Sequence, residues 1–446
     1  MSPYKICFAS SILLLSSFFA LGQYDQILPL KERAAIEDSV LKERIETVLP
    51  GLMERTEIDM WVIISREYNE DPILKTFLPS TWISARRRTI LVIYQEEPGN
   101  ALETFAIAKY DVGAVFKKAW NSDMQPDQWK RLMELIEERK PKKIGLNYSE
   151  TFALADGINK TEYELFMKNL PAQYQESVVS ADKLGVAWLE TRSATEKILY
   201  ENLCRIAHQI IARGFSTEAI VPGHTTTDDL VWWYRQEINN LGLETWFHPT
   251  VDIQRADPEN FDHLRSFSKR PDLQTIMPGD LLHVDFGITY LGLNTDTQQH
   301  AYVLKPEEER VPGYLVEAFK KGKKVQDHLT DQFTTGRTGN EILKLALEAA
   351  KEEGLKPTIY THPIGFHGHA AGPTIGMWDQ QGGVAGSGDY PLYPNTAYSI
   401  ELNAAVFITE WQKEIRIMLE EEAFFDGEKI YYIDGRQEAI YAIPRK

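Results

Sequence analysis

Five residues in the C-terminal half of this chain could act together on one substrate. They are Asp285 in Leu281-Leu-His-Val-Asp-Phe-Gly287, Asp296 in Leu293-Asn-Thr-Asp296, His362 in Tyr360-Thr-His-Pro-Ile-Gly365, Glu401 in Tyr398-Ser-Ile-Glu401 and Glu420 in Arg416-Ile-Met-Leu-Glu420. Four carboxylates and one imidazole suffice to hold two divalent cations side by side, because a carboxylate can bridge two ions and offset their repulsion. Such an oxygen-rich set with one nitrogen suits Mn, Co, Fe or Zn better than a soft, thiolate-seeking metal. A metal pair acidifies a shared water and polarises a carbonyl, which is the chemistry of amide hydrolysis at neutral pH.

Each residue also has a plainer explanation. Asp285 and Asp296 flank Gly287-Ile-Thr-Tyr-Leu-Gly292, a turn of the kind that joins two strands. Alone they would read as loop acids; the downstream His and Glu residues turn the balance toward ligands. His362, His367 and His369 crowd one loop and could by themselves form a mononuclear zinc site. They lack the helical His-Glu-x-x-His spacing that such a site commonly uses. Glu420, Glu421 and Glu422 are consecutive, and an unbroken strand from Met418 to Phe425 would put Glu422 on the face of Glu420 as the fallback ligand.

The order Asp, Asp, His, Glu, Glu, with the two Asp eleven positions apart (285 to 296), resembles the pita-bread metallopeptidases: methionine aminopeptidase, Xaa-Pro aminopeptidase, prolidase and creatinase. Pro278-Gly-Asp280 leading into Val284-Asp-Phe-Gly287, Tyr290, and His369 seven positions after His362 strengthen the likeness. The resemblance implies an α/β two-domain fold: a creatinase-like N-terminal α/β domain and a C-terminal pita-bread catalytic domain of pseudo-twofold α+β type. It implies two divalent ions per subunit, Mn foremost with Co or Zn as alternatives. Asp296 and Glu420 would bridge them, with Asp285 on one and His362 and Glu401 on the other. Glu401 would relay a proton, His369 would donate to the scissile carbonyl or its oxyanion, and His263 would face the substrate. The implied reaction is release of an N-terminal residue that precedes proline, by a homodimer. Two departures bear on specificity. Family members follow the second Asp with Thr-Arg-Thr, whereas this chain has Asp296-Thr-Gln-Gln-His300; they show His-Glu-x-Pro where it has His369-Ala-Ala-Gly-Pro373. A pita-bread hydrolase or lyase acting on a small non-peptide C–N substrate therefore stands as the alternative, and a metal-free peptide-binding module as a third.

The elements that must position these residues fit 446 residues with 43% hydrophobic content, enough for two cores. A net charge of −17 argues against a nucleic-acid partner, which needs clustered cations. Arg86-Arg87-Arg88 is the local exception, either a solvated strand edge or a contact to a peptide carboxylate or a second subunit. Lys5, the apolar run Ile6 to Leu21 and the small residues at Ala20-Leu21-Gly22 read as an export signal over 1–22, cut before Gln23. The expectation is an exported protein with no stable membrane association after cleavage. Only Cys204 then remains of two cysteines, so no internal disulfide can form, and its helical context reads as packing.

Residues 23–190 read as the N-terminal domain. Leu30 to Arg55 is a helix and loop; Met60–Ile64, Thr89–Ile93, Thr104–Ala108 and Lys143–Asn147 are strands; Gln128–Arg139 is a helix. Residues 191–446 read as the catalytic domain, opening at the capping box Ser193-Ala-Thr-Glu196 on a helix expected to reach Arg213, with Gly214 in a left-handed cap. Pro222-Gly-His-Thr-Thr-Thr-Asp-Asp-Leu230 before one helix is echoed by Thr335-Gly-Arg-Thr-Gly-Asn-Glu-Ile-Leu343 before another, a faint internal duplication.

Overall fold

Apolar runs without polar interruption make strands that are covered on both faces. In the computed structural model, which describes residues 27–257 and 274–444, Met60–Arg66 and Arg88–Tyr94 pair antiparallel along their full length. Met60, Val62, Ile64, Ile90 and Val92 pack on one side against Leu132, Leu135 and Ile136 of the helix Gln128–Arg139. Trp61, Ile63, Leu91 and Ile93 pack on the other against Leu49, Leu52 and Met53. The six strands lie in the order Lys117–Lys118, Glu103–Ala106, Arg88–Tyr94, Met60–Arg66, Ile144–Leu146, Val178–Ser180. The expected first helix is two, Leu30–Thr47 and Leu49–Thr56. Pro50 has no N–H to continue the first and suits the opening turn of the second.

The second domain repeats one order of elements. Helices Ala194–Gly214 and Thr227–Asn240 precede one set of antiparallel strands, and Gly313–Thr330 and Gly339–Glu352 precede another. Capping boxes at Ser193/Glu196, Thr226/Asp229 and Thr338/Glu341 open three of the four helices, each satisfying first-turn N–H groups that have no partner inside the helix. Gly214 does not take the left-handed cap expected of it. It stays helical, and Phe215 ends the helix with φ −87°. Its missing side chain serves packing instead: a Cβ there would lie 2.2 Å from the Tyr234 ring.

Four strands of the second domain run Tyr441–Ile443, Thr297–Val303, Leu281–Phe286, Thr250–Gln254. Pro357–Ile359, Leu402–Ile408 and Lys413–Leu419 form a three-stranded sheet, and His362–Pro363, Thr396–Ser399, Glu422–Phe425 and Ile430–Tyr432 a four-stranded one. The strand expected from Met418 to Phe425 is therefore divided. Its first part pairs with Leu402–Ile408 and its second with Thr396–Ser399. The chain passes from one sheet to the other at Glu420–Glu421, and the partner strands do so at Ile400–Glu401.

Two of the three arginines of the triplet are engaged within the molecule. Arg88 Nε sits 2.7 Å from Oε2 of the buried Glu162, and Arg86 stacks over Trp82, 4.5 Å from the ring centre. No helix among the described residues is long and apolar enough to cross a membrane. The leader expected over 1–22 lies outside those residues.

One buried acid joins elements from both halves of the chain. Glu190 ends the helix Asp182–Glu190, accepts from Tyr390 Oη at 3.2 Å and lies 3.6 Å from Arg55 Nη2. Burial pushes its carboxyl up to about 8 from an ordinary 4.5, against the pull of Arg55 and Tyr390. A carboxyl raised on folding contributes stability that is complete below about 4.5 and lost as the pH rises through about 8. Glu190→Gln should therefore flatten the fall of thermal midpoint between pH 5 and 8.5. Parallel wild-type and variant curves over that range would contradict it.

Candidate metal centre

The two sheet crossings place the acids. Glu401 and Glu420 sit on the breaks themselves, where neither strand ladder engages the side chain. Asp285 lies on Leu281–Phe286 directly opposite Gln298, and Asp296 immediately precedes Thr297–Val303. His362 opens the short strand that pairs with Ser399. Ligand atoms of Asp285, Asp296 and Glu420 lie within 4.8 Å of one another; so do those of His362, Glu401 and Glu420, and those of Asp296, His362 and His369. The first two groups share Glu420. The five residues singled out in the sequence thus converge on one place.

His362 shows what the place is built for. Its Nδ1 lies 3.0 Å from the Pro363 carbonyl oxygen, which can only accept, so Nδ1 carries the proton and Nε2 holds a lone pair. Burial, then the neighbouring His369, pushes the imidazole down to about 3, so it is neutral. Nε2 is buried without a hydrogen-bond partner. It faces Asp296 Oδ2 at 3.8 Å and Glu420 Oε1 at 3.7 Å. A lone pair aimed at carboxylate oxygens is repulsive in a dry interior unless a cation lies between them. The acids have the same need. Burial, then Asp285, pushes Glu401 up to about 8. Burial and neighbouring carboxylates hold Asp296 and Glu420 well above the usual range. Oxygen and imidazole donors fit a hard or borderline divalent ion.

The run of three glutamates separates by role. Glu420 Oε1 accepts from Ser399 Oγ at 2.6 Å and its Oε2 from Gln298 Nε2 at 2.7 Å. Glu422 turns away: its Oε1 accepts from Asp296 N at 2.5 Å and from Thr297 Oγ1 at 3.2 Å. It supports the backbone of an acid in the centre, and the shared strand face expected for it fails because the strand divides. Glu421 is held by Gln299, Gln437 N and His208 Nε2, and Asp434 lies 2.9 Å from the other nitrogen of that histidine. Cys204 is buried; burial, then Glu422, raises its thiol well above the usual range, which suits packing rather than nucleophilic use.

His369 stands at the mouth. Its side chain is 55% exposed, with Nε2 3.9 Å from Asp296 Oδ2. Its ring meets those of His362, Trp246 and Tyr360 at 4.6, 5.1 and 5.6 Å. His263 lies outside the described residues. Gln298, Ser399, Tyr360 and Trp246 went unnoticed in the sequence. Three of them carried a legible signal: each lies two positions from a candidate ligand, the spacing that puts two strand residues on one face. Trp246 carried none.

Residues 199–423 match the model of metallopeptidase family M24. The chain belongs to that family. The resemblance read from the five residues and the two-domain α/β, pita-bread fold are borne out, and the protein is a metallopeptidase. The chain is similar to the X-Pro aminopeptidase of Thermotoga maritima, with TM-score 0.60 and 17% identity over 87% of this chain and 99% of that one. It is similar to a Xaa-Pro dipeptidase from Bacillus anthracis, with TM-score 0.56 and 14% identity over 92% and 99% of the two chains. A prolidase from Pyrococcus horikoshii gives 0.53 and 15% over 90% and 99%. At these identities the likeness is one of fold, and it reaches beyond the family segment into the first domain. A comparison with curated proteins finds no match.

Gly368 is where this peptidase's mouth is most tightly packed. A Cβ there would fall 2.2 Å from the Trp246 indole, which is anchored by Nε1 donating to Thr295 O at 2.9 Å. Gly368→Ala should cost about 1–3 kcal/mol of stability, as overpacking does, and shift the tryptophan emission. An unchanged thermal midpoint would count against this packing.

Proposed function

We propose that this chain is an exported aminopeptidase that hydrolyses the bond between an N-terminal residue and a following proline. Its leader would be 1–22, its N-terminal domain 23–190 and its catalytic domain 191–446. The observation that carries the reading is the pair of overlapping ligand groups sharing Glu420, with the buried lone pair of His362 Nε2 aimed into them. The solved relatives named as X-Pro aminopeptidase and Xaa-Pro dipeptidase support the substrate class.

Asp285, Asp296, His362, Glu401 and Glu420 would hold two divalent ions, Mn foremost. When bound, such a pair supplies hydroxide from water at neutral pH and polarises the scissile carbonyl. The chain's own groups do the rest. Glu401, with Oε1 held by Gln298 at 3.0 Å, would take the proton of the attacking water and deliver it to the leaving amine. His369, exposed at the mouth beside Asp296, would donate to the carbonyl oxygen and to the oxyanion that follows. The rings of Trp246 and Tyr360 beside it offer an apolar wall of the kind a pyrrolidine ring packs against. His263 is assigned to the substrate from the resemblance. A homodimer completes the proposal, and a monomer mass by light scattering would remove that part.

The test is cleavage followed by mass spectrometry. Protein beginning at Gln23, loaded with Mn, should release one residue from peptides with Pro at position two and leave Ala-containing controls intact. Asp296→Ala should lose bound metal and reduce turnover by at least about a hundredfold, on the scale of losing transition-state stabilisation. Unchanged metal content and turnover in that variant would remove the proposed site. Two bound ions with no peptide cleaved would move the activity to a small non-peptide substrate.

A further inference from the structure

Behind Glu401 and Glu420 lies a polar chain that the peptidase reading leaves unused. Asp252 is directly opposite His283, and Asp285 is directly opposite Gln298. His283 and Asp285 are two apart on one strand, so all four side chains emerge on the same face of the sheet. The Gln298 amide nitrogen donates to Glu401 Oε1 at 3.0 Å and to Glu420 Oε2 at 2.7 Å. These acids come from the two separate sheet crossings. We infer that Gln298 is the positioning residue that sets Glu401 and Glu420 together and couples them to the buried His283–Asp252 pair; this rests on the metal-binding reading above.

The direction of the chain follows from what each atom can do. As carboxylates, Glu401 and Glu420 only accept, so the amide must present its NH2 end to them. Its Oε1 then faces His283 Nε2 at 2.9 Å, and the imidazole must donate there. The other ring nitrogen faces Asp252 Oδ2 at 3.6 Å. With its acceptor end occupied, the amide cannot turn over, and both glutamates stay fixed. The Gln298 side chain is not needed to hold its strand. Its backbone N–H and C=O already pair with Glu420 at 3.0 and 3.2 Å. The amide is therefore free to link the acids to His283.

Groups that orient metal ligands from outside typically change affinity 10–100-fold when removed. Calorimetric titration of Mn2+ into chelator-treated protein from Gln23 tests the idea with Gln298→Met, His283→Phe and the double variant. Gln298→Met should weaken Mn2+ binding about 10–100-fold. His283→Phe should cost less, and nothing further once Gln298 is gone, because it acts through that amide. Gln298→Asn, which keeps a polar head but falls short of the acids, should also weaken binding and serves if the Met variant does not fold. Wild-type affinity in the Gln298 variants, or losses that add in full in the double variant, would overturn the inference alone. A wild type that takes up no Mn2+ would overturn the metal-binding reading and this inference with it.

Discussion

Burying several carboxylates together is the constraint on which the rest of this structure depends. Like charges in a water-poor interior repel strongly, and each pays its own desolvation. Asp296, Glu401 and Glu420 respond as such groups must, all raised well above the usual carboxylate range. The surroundings soften the problem without removing it. Ser399 and Gln298 donate to Glu420, and Glu422 props the backbone of Asp296 instead of joining the cluster. The neutral His362 imidazole faces the acids with another lone pair, and His369 Nε2 stands 3.9 Å from Asp296 Oδ2. The donor arrangement is complementary to positive charge that the chain does not itself provide.

The architecture delivers this arrangement by breaking strands. An unbroken strand spreads side chains evenly over two faces, so ligands on one strand cannot all converge. Where a strand leaves one sheet and joins another, its side chains at the crossing are released from that alternation. Glu401 and Glu420 occupy two such crossings, side by side. The hairpin from Leu281 to Val303 brings Asp285 and Asp296 from a third direction. Two helix pairs, three of whose four helices open on capping boxes, are buried along one stripe and cover the outer faces of these sheets. The hydrophobic layers thereby hold the acids in place at positions the acids alone would not choose.

Much of this was legible from residue types and spacing. The helix starts at Ser193 and Thr226 declared themselves, because a side chain three residues from a cap has one obvious partner. The ligand candidates could be picked because Asp, His and Glu in that order have few other common uses. What escaped was decided by tertiary packing. Gly214 was expected to turn left-handed, but the Tyr234 ring needs its space. The Met418–Phe425 strand was expected whole, since nothing local marks a change of sheet. Its division is what separates Glu420 from Glu422. Gln298 could be placed beside Asp296 from its two-residue spacing, but its role shows only once its partners are known, and those arrive from residues more than a hundred positions away.

The most direct test of the central claim is anomalous diffraction from crystals soaked in Mn2+. The account predicts two peaks at the centre. One should lie among Asp285, Asp296 and Glu420, the other among His362, Glu401 and Glu420, with Glu420 touching both. No peak there, or manganese held instead among His208, Glu421 and Glu422, would contradict it.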